Sequence, residues 1–317
     1  MSYLITLDQC SFENSARVGV KAAALGELQR AGFRVPNGFV ITAEAYPPFI
    51  APLRDKIAAR LTDDVVNDPA ELEGSATEIR EWIGAQVLPA ALRAEVETAL
   101  DALSASERTS LIARSSTAAD DLATSFGAGV ARAYAGLVGI DEIASAIARA
   151  WAALWNSRAI YYRWRKKIVQ TEPAFAILIQ PMVRADSAGV ILTEHPITGN
   201  RDEMEIKSVF GLGMPVMNGR FHPDEFIFDK SKNEITDRTQ VEQAIRLAVG
   251  DDGHVEEQVM PAAQADTSSL TDAQIAELAA LGQRVQTFFK TPQDIEWTLA
   301  NGEFVIVQAR PIGMRHS

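Results

Sequence analysis

The sequence has 317 residues, 47% of them hydrophobic and 23% charged, which excludes a disordered polypeptide and is enough chain to bury a large core. Its 42 acidic residues against 30 basic ones give a net charge of −12, which argues against nucleic acid or an anionic membrane surface as the main partner. One cysteine, no signal-peptide pattern and no apolar run of about 18 residues predict a cytoplasmic protein without a disulfide or a membrane span.

The first hundred residues are predicted to be mostly helical. A helix runs from Lys21 to Arg30 and is ended by Gly32, and RVPNGFVIT then forms a strand entered through its proline. Residues 45 to 104 read as surface helices. Lys21, at the start of its helix, is a candidate phosphate ligand, although a solvated lysine on an amphipathic helix is the simpler interpretation of the residues alone.

The segment SLIARSS, residues 110 to 116, predicts a short strand, and ARAYAGLVGI predicts the second strand of a hairpin. A strand seldom holds an arginine such as Arg114 unless an anion or a carboxylate receives it. The small-residue stretch between the strands is a possible phosphate loop, but it lacks the GxxxxGK[ST] pattern, and its glycines suit ordinary turns equally. We expect Asp120 and Asp121 in this stretch to be solvated and not to bind metal.

The rest of the chain predicts mixed helices and strands. A long helix covers Asp141 to Lys167, and AFAILIQPMV is a central strand. Residues 231 to 269 are polar and loop-rich, as a flap or an insertion would be, and Thr271 to Gln274 is a capping box. We expect His195 and His222, each followed by proline, to be solvated in turns. The prediction is an α+β or mixed α/β fold in two lobes, 1–185 and 186–317, with the ligand cleft between them.

The last predicted hairpin, residues 291 to 312, places three polar residues inside otherwise apolar strands. These are Glu296, Gln308 and Arg310. A carboxylate and a carboxamide oxygen suit Mg²⁺, which takes few protein ligands, and an arginine suits phosphate. This chemistry requires that all three lie on one face of the hairpin.

The loop of this hairpin decides which side chains share a face. A two-residue loop at Asn301-Gly302 places Glu296 on the face opposite Gln308 and Arg310. A three-residue loop that begins one residue earlier places all three on one face. The two-residue loop separates polar from apolar side chains better, so the residues alone favour a structural hairpin.

Several segments in order resemble the nucleotide-binding N-terminal domain of the pyruvate phosphate dikinase and phosphoenolpyruvate synthase family, which includes the rifamycin phosphotransferases. The segments are VGVKAAALGELQRAGFRVPNGFVIT, ARSSTAADDLATSF, WNSRAIYYR, IQPMVRADSAGVILTEHPITG, GLG with GRFHPDEF, PQDIEW, and VIVQARPI. The resemblance covers nearly the whole chain, and its last two segments are the most specific. It implies an ATP-grasp-like fold whose two lobes hold ATP between them.

The resemblance also assigns roles to individual residues. It implies ATP and Mg²⁺ as cofactors, with phosphates held by Lys21 and Arg114 and the terminal phosphate by Arg310. It implies that adenine is received by Gln180, Pro181, Met182 and Val183, and that Mg²⁺ is held by Glu296 and Gln308. It selects the three-residue loop for the last hairpin, because that loop places the metal ligands on one face.

The sequence departs from the family pattern around the phosphates. Gly129 of the phosphate loop is retained, and the departures are Ala118, Asp120, Val130, Ala131, Ala133, Met214 and Lys207. Lys207 stands where an acid is usual, and Met214 replaces the glutamate of GLGE. These departures could reflect altered contacts to the nucleotide, a different phosphoryl acceptor or a site that has lost its activity. The retained residues favour a site that still uses ATP.

In multi-domain members of the family, a separate domain carries a histidine that takes the β-phosphoryl group of ATP and releases AMP and phosphate. None of the four histidines here lies in that motif. The leading hypothesis is an ATP-binding subunit of a split dikinase-like system, with the histidine and the acceptor-binding component on separate proteins or domains. Three alternatives stay open: a domain of a rifamycin-phosphotransferase-like enzyme, a direct ATP-grasp kinase or ligase, and a regulatory protein that binds nucleotide without turnover.

Overall fold

The computed structural model describes residues 2–103, 109–117, 133–172, 175–217 and 219–312. The chain divides into two compact units, the first formed by Met1–Glu27 and Asn37–Met182 and the second by Leu28–Pro36 and Val183–Ser317. Each unit has its own antiparallel sheet, and helices accompany both, so the fold is mixed α and β. Within the described ranges, no helix is both long and apolar enough to cross a membrane.

The first unit contains a five-stranded sheet in the order β1-β2-β5-β3-β4. Its strands are β1 Leu4–Thr6, β2 Phe39–Ile41, β3 Leu111–Ser116, β4 Ala133–Leu137 and β5 Ala176–Pro181. The helices in this part of the chain are α1 Ser15–Arg30, α2 Tyr46–Ile50, α3 Arg54–Arg60, α4 Asp63–Asn67, α5 Pro69–Gly84, α6 Ala90–Asp101, α7 Gly139–Ala152 and α8 Ser157–Arg165. The last turn of α1 belongs to the second unit.

One face of this sheet is apolar and packs against helices. Alternate residues of β3 and β5, such as Ala113 and Ile179, join the core with Trp151 of α7. The central position of β5 confirms the prediction from its apolar sequence. The single long helix predicted from Asp141 to Lys167 is wrong: it is broken by a 3₁₀ turn after Ala152, and α8 restarts with Asn156 as its N-cap.

The second unit contains a six-stranded sheet in the order β13-β12-β6-β7-β8-β9 and a separate two-stranded ribbon, β10-β11. The sheet strands are β6 Ser187–Leu192, β7 Glu203–Phe210, β8 Asp224–Asp229, β9 Glu234–Thr239, β12 Gln293–Ala300 and β13 Glu303–Pro311. The ribbon strands are β10 Ile245–Val249 and β11 Val255–Val259, and the helices are α9 Met214–Met217, α10 Ala262–Ala265 and α11 Asp272–Phe289.

Helix α11 covers one face of this sheet. The predicted capping box at Thr271 and Gln274 is confirmed, and it fixes the start of the helix. Gly282 lies against Ile191 of β6, where an added Cβ would be 2.9 Å from the isoleucine methyl, so the glycine permits the close approach. The prediction that residues 231 to 269 are loop-rich is wrong in part, because this segment contains β9 and the β10-β11 ribbon.

The turn after β8 is organised by Asp229, whose carboxylate accepts hydrogen bonds from the backbone and hydroxyl of Ser231 and the backbone of Lys232. These donors hold the pKa of Asp229 well below its ordinary value, the Ser231 hydroxyl contributing most. A carboxylate with a lowered folded-state pKa adds stability above its unfolded pKa, near 4, and that stability is lost as the pH falls.

We therefore expect the thermal stability of the Asp229→Asn variant to depend less on pH, in the acidic range, than that of wild type. The asparagine oxygen can keep the turn hydrogen bonds, but it cannot lose a charge. Thermal unfolding of wild type and variant between pH 6 and pH 3 measures this, and the stability difference between them should shrink as the pH falls below about 4. A difference that stays constant over this range would contradict the expectation.

Candidate functional site

The β12-β13 hairpin has a two-residue loop. Ala300 pairs with Glu303, and Asn301 and Gly302 both have positive φ, 51° and 76°, as a type I′ turn requires. The three-residue loop that the resemblance selected is therefore wrong. The structure instead contains a β-bulge further along the hairpin, where the register shifts between Glu296 and Trp297.

A two-residue loop alone would place Glu296 and Gln308 on opposite faces of the hairpin. The bulge returns them to the same face. Trp297 pairs with Ile306 and Glu296 pairs with Gln308, so Val307 is the extra residue in β13. Glu296 and Gln308 consequently lie directly opposite each other on one face. Gln308 is only 5% exposed, so the carboxamide is held in place by its surroundings.

This face of the second sheet, opposite α11, carries charged and amide side chains and is called the polar face below. Its members are Asp294, Glu296, Gln308, Arg310, Glu205, Lys207 and Glu225, which alternate along their strands with buried apolar residues. Ile295 and Trp297, between the polar positions of β12, are each 1% exposed. The alternation therefore separates the core from a face that can bind polar groups.

Arg310 is held by Asp294, its cross-strand partner. Its Nε and Nη2 both donate to Asp294 Oδ2, at 2.9 and 2.8 Å. Asp294 is a site residue that the sequence analysis did not select, although its position two residues before Glu296 already places both on the same strand face. The carboxylate fixes the guanidinium next to the Glu296 and Gln308 pair.

Lys207 lies on the polar face between two acids. Its Nζ is 2.9 Å from Glu225 Oε1 and 3.6 Å from Glu205 Oε1. Burial lowers the pKa of Lys207, but the hydrogen bond to Glu225 and the charges of both acids outweigh it and raise the pKa. The lysine is therefore a fixed cation on the same face as the predicted metal ligands.

In the first unit, Arg114 and Gln180 share the face of the sheet that is opposite the helical core. Ile112 pairs with Gln180 and Arg114 pairs with Leu178, and paired residues of antiparallel strands point to the same side. Arg114 is 8% and Gln180 2% exposed. A Cβ on Gly38 would be 2.8 Å from Gln180 Cγ, so the glycine leaves the space that this side chain uses.

Lys21 belongs to helix α1, whose start contacts the end of strand β3. The helix contains a break at Gly19, whose φ of 78° and ψ of 161° are not helical, and the regular part begins after it. The Val20 amide then donates to Thr117 O at 2.8 Å, and the Ala22 amide donates to the Ser116 hydroxyl at 3.2 Å. The backbone around Lys21 is thus fixed beside Ser116 at the end of β3. Ser116 lies two residues after Arg114 and on the same face of the strand.

We expect Gly19→Ala to lower the free energy of unfolding of the first unit by about 3 kcal/mol or more, since this backbone conformation is open almost only to glycine. A Cβ would also overlap the carbonyl and hydroxyl oxygens of Ser116. Gly139→Ala is the matched control in the same unit, because Gly139 also has a positive φ, 74°, but nothing lies near its Cβ position.

The control should cost only about 1 kcal/mol. Urea unfolding followed by tryptophan fluorescence measures both, since four of the five tryptophans belong to the first unit. Equal losses of unfolding free energy in the two variants would show that the overlap with Ser116 adds no cost.

The other predicted adenine and phosphate residues lie around the end of β5 or outside the described part of the chain. The Met182 amide donates to Ser110 O at 2.9 Å, so this amide is already used by the chain next to β3. Pro181 ends β5, and Val183 begins the second unit. Gly129, with Ala118, Asp120, Asp121, Val130 and Ala131, lies outside the described residues, whereas Ala133 is the cross-strand partner of Arg114.

Among the described residues, no group of three or more His, Cys, Asp or Glu side chains is arranged to hold a metal ion. A cation at Glu296 and Gln308 would have to take its remaining ligands from water and phosphate, as Mg²⁺ commonly does. His195 lies at a turn, as predicted, and its Nδ1 accepts hydrogen bonds from the backbone amides of Ile197 and Thr198.

A family model described as "Pyruvate phosphate dikinase, AMP/ATP-binding domain" matches residues 15–317. The chain is 32% identical to the probable phosphoenolpyruvate synthase of Methanocaldococcus jannaschii, over 98% of this chain and 27% of that protein. It is 35% identical to the rifampicin phosphotransferase of Streptomyces sviceus, over 98% of this chain and 36% of that protein. The chain therefore spans only about a third of the length of these relatives.

Among solved structures, the chain is similar to the D-alanyl-alanine synthetase A of Vibrio cholerae, with a TM-score of 0.33 and 12% identity. The similarity covers 95% of this chain and 56% of that chain.

Proposed function

Because this chain belongs to the family of pyruvate phosphate dikinase AMP/ATP-binding domains, we propose that it binds ATP with Mg²⁺ and cleaves it for phosphoryl transfer. The acceptor in this proposal is a histidine on a separate protein or domain, which takes the β-phosphoryl group while AMP and phosphate are released. An acceptor-binding component elsewhere would receive the group from that histidine.

The observation that carries the proposal is the pairing of Glu296 with Gln308 on the polar face. A structural hairpin has no need for a bulge that turns a glutamine away from the core and places it opposite a glutamate. One carboxylate oxygen and one carboxamide oxygen are hard ligands that suit Mg²⁺ and leave coordination positions for phosphate oxygens. The adjacent Arg310 is a guanidinium suited to a phosphate.

Each residue has a definite part in the proposed reaction. Glu296 and Gln308 would hold Mg²⁺, and the bound ion would supply positive charge to neutralise the phosphates. Arg310 would bind the terminal phosphate, and Lys21 and Arg114 are the other proposed phosphate ligands. Gln180, Pro181, Met182 and Val183 receive adenine, through groups other than the Met182 amide that already donates to Ser110.

The bonds of the proposed reaction balance with one water. A histidine nitrogen bonds to the β-phosphorus while the bond from that phosphorus to the α,β-bridging oxygen breaks, so AMP leaves. Water then takes the γ group as phosphate, and one phosphoryl group stays on the histidine.

The test is product analysis by ³¹P NMR, with Mg·ATP, this chain and phosphohistidine domains encoded in the same genome. We expect AMP, phosphate and an acid-labile phosphohistidine in equal amounts, formed only when both proteins are present. ADP as the product would favour direct phosphorylation or an acyl-phosphate ligase instead. Bound ATP without any product, with every such domain, would favour a regulatory nucleotide-binding protein.

A further inference from the structure

Lys207 has no part in the reaction as proposed above, yet it is aligned with the predicted metal ligands. Successive cross-strand partners run from Gln308 through Glu296 and Val190 to Lys207. Partners in antiparallel strands point to the same side of a sheet, so the lysine and the metal ligands belong to one row on the polar face.

The separation along this row suits a bound phosphate chain. Neighbouring strands are about 4.8 Å apart, so the two strand steps from Glu296 to Lys207 make about 10 Å between the backbones. The four-carbon stem of the lysine reaches over part of that distance. The residue between them, Val190, is 9% exposed and has no polar group that would compete for a ligand.

The ammonium group is positioned before any ligand arrives. Glu225 and Glu205 hold it at 2.9 and 3.6 Å, while its side chain stays 29% exposed. A lysine that is oriented by a glutamate and still accessible is the arrangement by which protein kinases keep a phosphate-binding lysine in place. The ion pairs therefore orient the cation without enclosing it.

We propose that Lys207 binds a phosphate group of the nucleotide on the side of the metal ligands that is opposite Arg310. This rests on the proposed function, since it takes the polar face as the phosphate face. Arg310 lies on the edge strand β13 and Lys207 lies on β7, three strands away in the sheet. With the terminal phosphate at Arg310, the phosphate nearest Lys207 is the one attached to the ribose.

This order of the phosphates along the sheet predicts which nucleotides lose affinity when Lys207 is replaced. Lys207→Met should weaken AMP, ADP and Mg·ATP alike, each by about tenfold or more, because all three have the ribose-linked phosphate. Arg310→Met should weaken Mg·ATP far more than AMP. Isothermal titration of wild type and both variants with the three nucleotides measures this.

Two further variants separate phosphate binding from a change in local charge. Lys207→Met exposes two carboxylates, which could repel phosphate by themselves. In the double variant Lys207→Met, Glu225→Gln, one of those charges is removed as well, and the affinities should stay low. Lys207→Arg should restore part of the affinity because it keeps the charge.

Lys232→Met is the matched control. Lys232 also pairs with an aspartate at 3.0 Å in the second unit, but it lies in the turn after β8 and outside the polar face. Its removal should leave all three affinities unchanged. Thermal unfolding of each variant in the same buffer establishes the temperature at which titration is done on folded protein.

Unchanged affinities in Lys207→Met, or wild-type affinities in the double variant, would overturn the proposal. A loss confined to Mg·ATP would overturn the proposed order along the row. In both cases the proposed function survives provided Glu296→Ala, Gln308→Ala still weakens Mg·ATP. If that variant binds Mg·ATP as wild type does, the proposed function fails, and the role of Lys207 fails with it.

Discussion

Replacing Glu296 and Gln308 together by alanine is expected to raise the Kd of Mg·ATP at least 100-fold, which corresponds to about 2.7 kcal/mol. The two side chains face each other across β12 and β13 and supply the protein oxygens proposed for the metal. Without them the metal keeps only its water and phosphate ligands, and the phosphate charge is no longer tied to the sheet. Isothermal titration with ATP and Mg²⁺ measures the loss.

Removal of the metal provides an internal control for this prediction. In EDTA, wild type and the double variant should bind ATP equally weakly, since the missing side chains act only through Mg²⁺. Glu256→Ala, Gln258→Ala removes the same two residue types from β11, where they are hydrogen bonded to each other, and should bind Mg·ATP normally. If the Kd of Mg·ATP is unchanged when Glu296 and Gln308 are replaced, the pair has only a structural role.

Asp224→Ala is expected to lower the free energy of unfolding of the second unit by about 3 to 5 kcal/mol. The Asp224 side chain is fully buried and accepts hydrogen bonds from the amide and hydroxyl of Ser269 and from the amide of Val241. Ser269 in turn contacts the hydroxyls of Ser187 and Ser208, so the carboxylate joins the segment before α11 to three strands. Alanine removes the acceptor of two buried donors on Ser269 and of the part-buried Val241 amide.

Hydrogen exchange measured by mass spectrometry locates this effect in the chain. Peptides from β7 and β8 should lose protection in Asp224→Ala, whereas peptides from β3 and β5, in the first unit, should keep theirs. Asp237→Ala is the control, because Asp237 is an exposed aspartate on β9 and its loss should cost under about 0.5 kcal/mol. Uniform loss of protection in both units would contradict a local role for Asp224.

Local patterns were sufficient to predict several elements. Strand β5 was predicted as central because it is apolar on both faces, and the start of α11 was predicted from Thr271 and Gln274. Both signals arise from neighbours within a few residues, which is the range over which capping and alternation act. The helix break after Ala152 was missed because the apolar stripe continues through it and only the Asn156 N-cap marks the restart.

The sequence by itself determined the family pattern and the residue types that are proposed to bind phosphate and metal. Tertiary structure alone decided how those residues share a face, because a bulge at Val307 combines a two-residue loop with the Glu296 and Gln308 pairing. It also decided the alignment of Lys207 with that pair through two intervening strand contacts. The physical reason is that strand register depends on hydrogen bonds and packing between segments far apart in the chain, which no local pattern encodes.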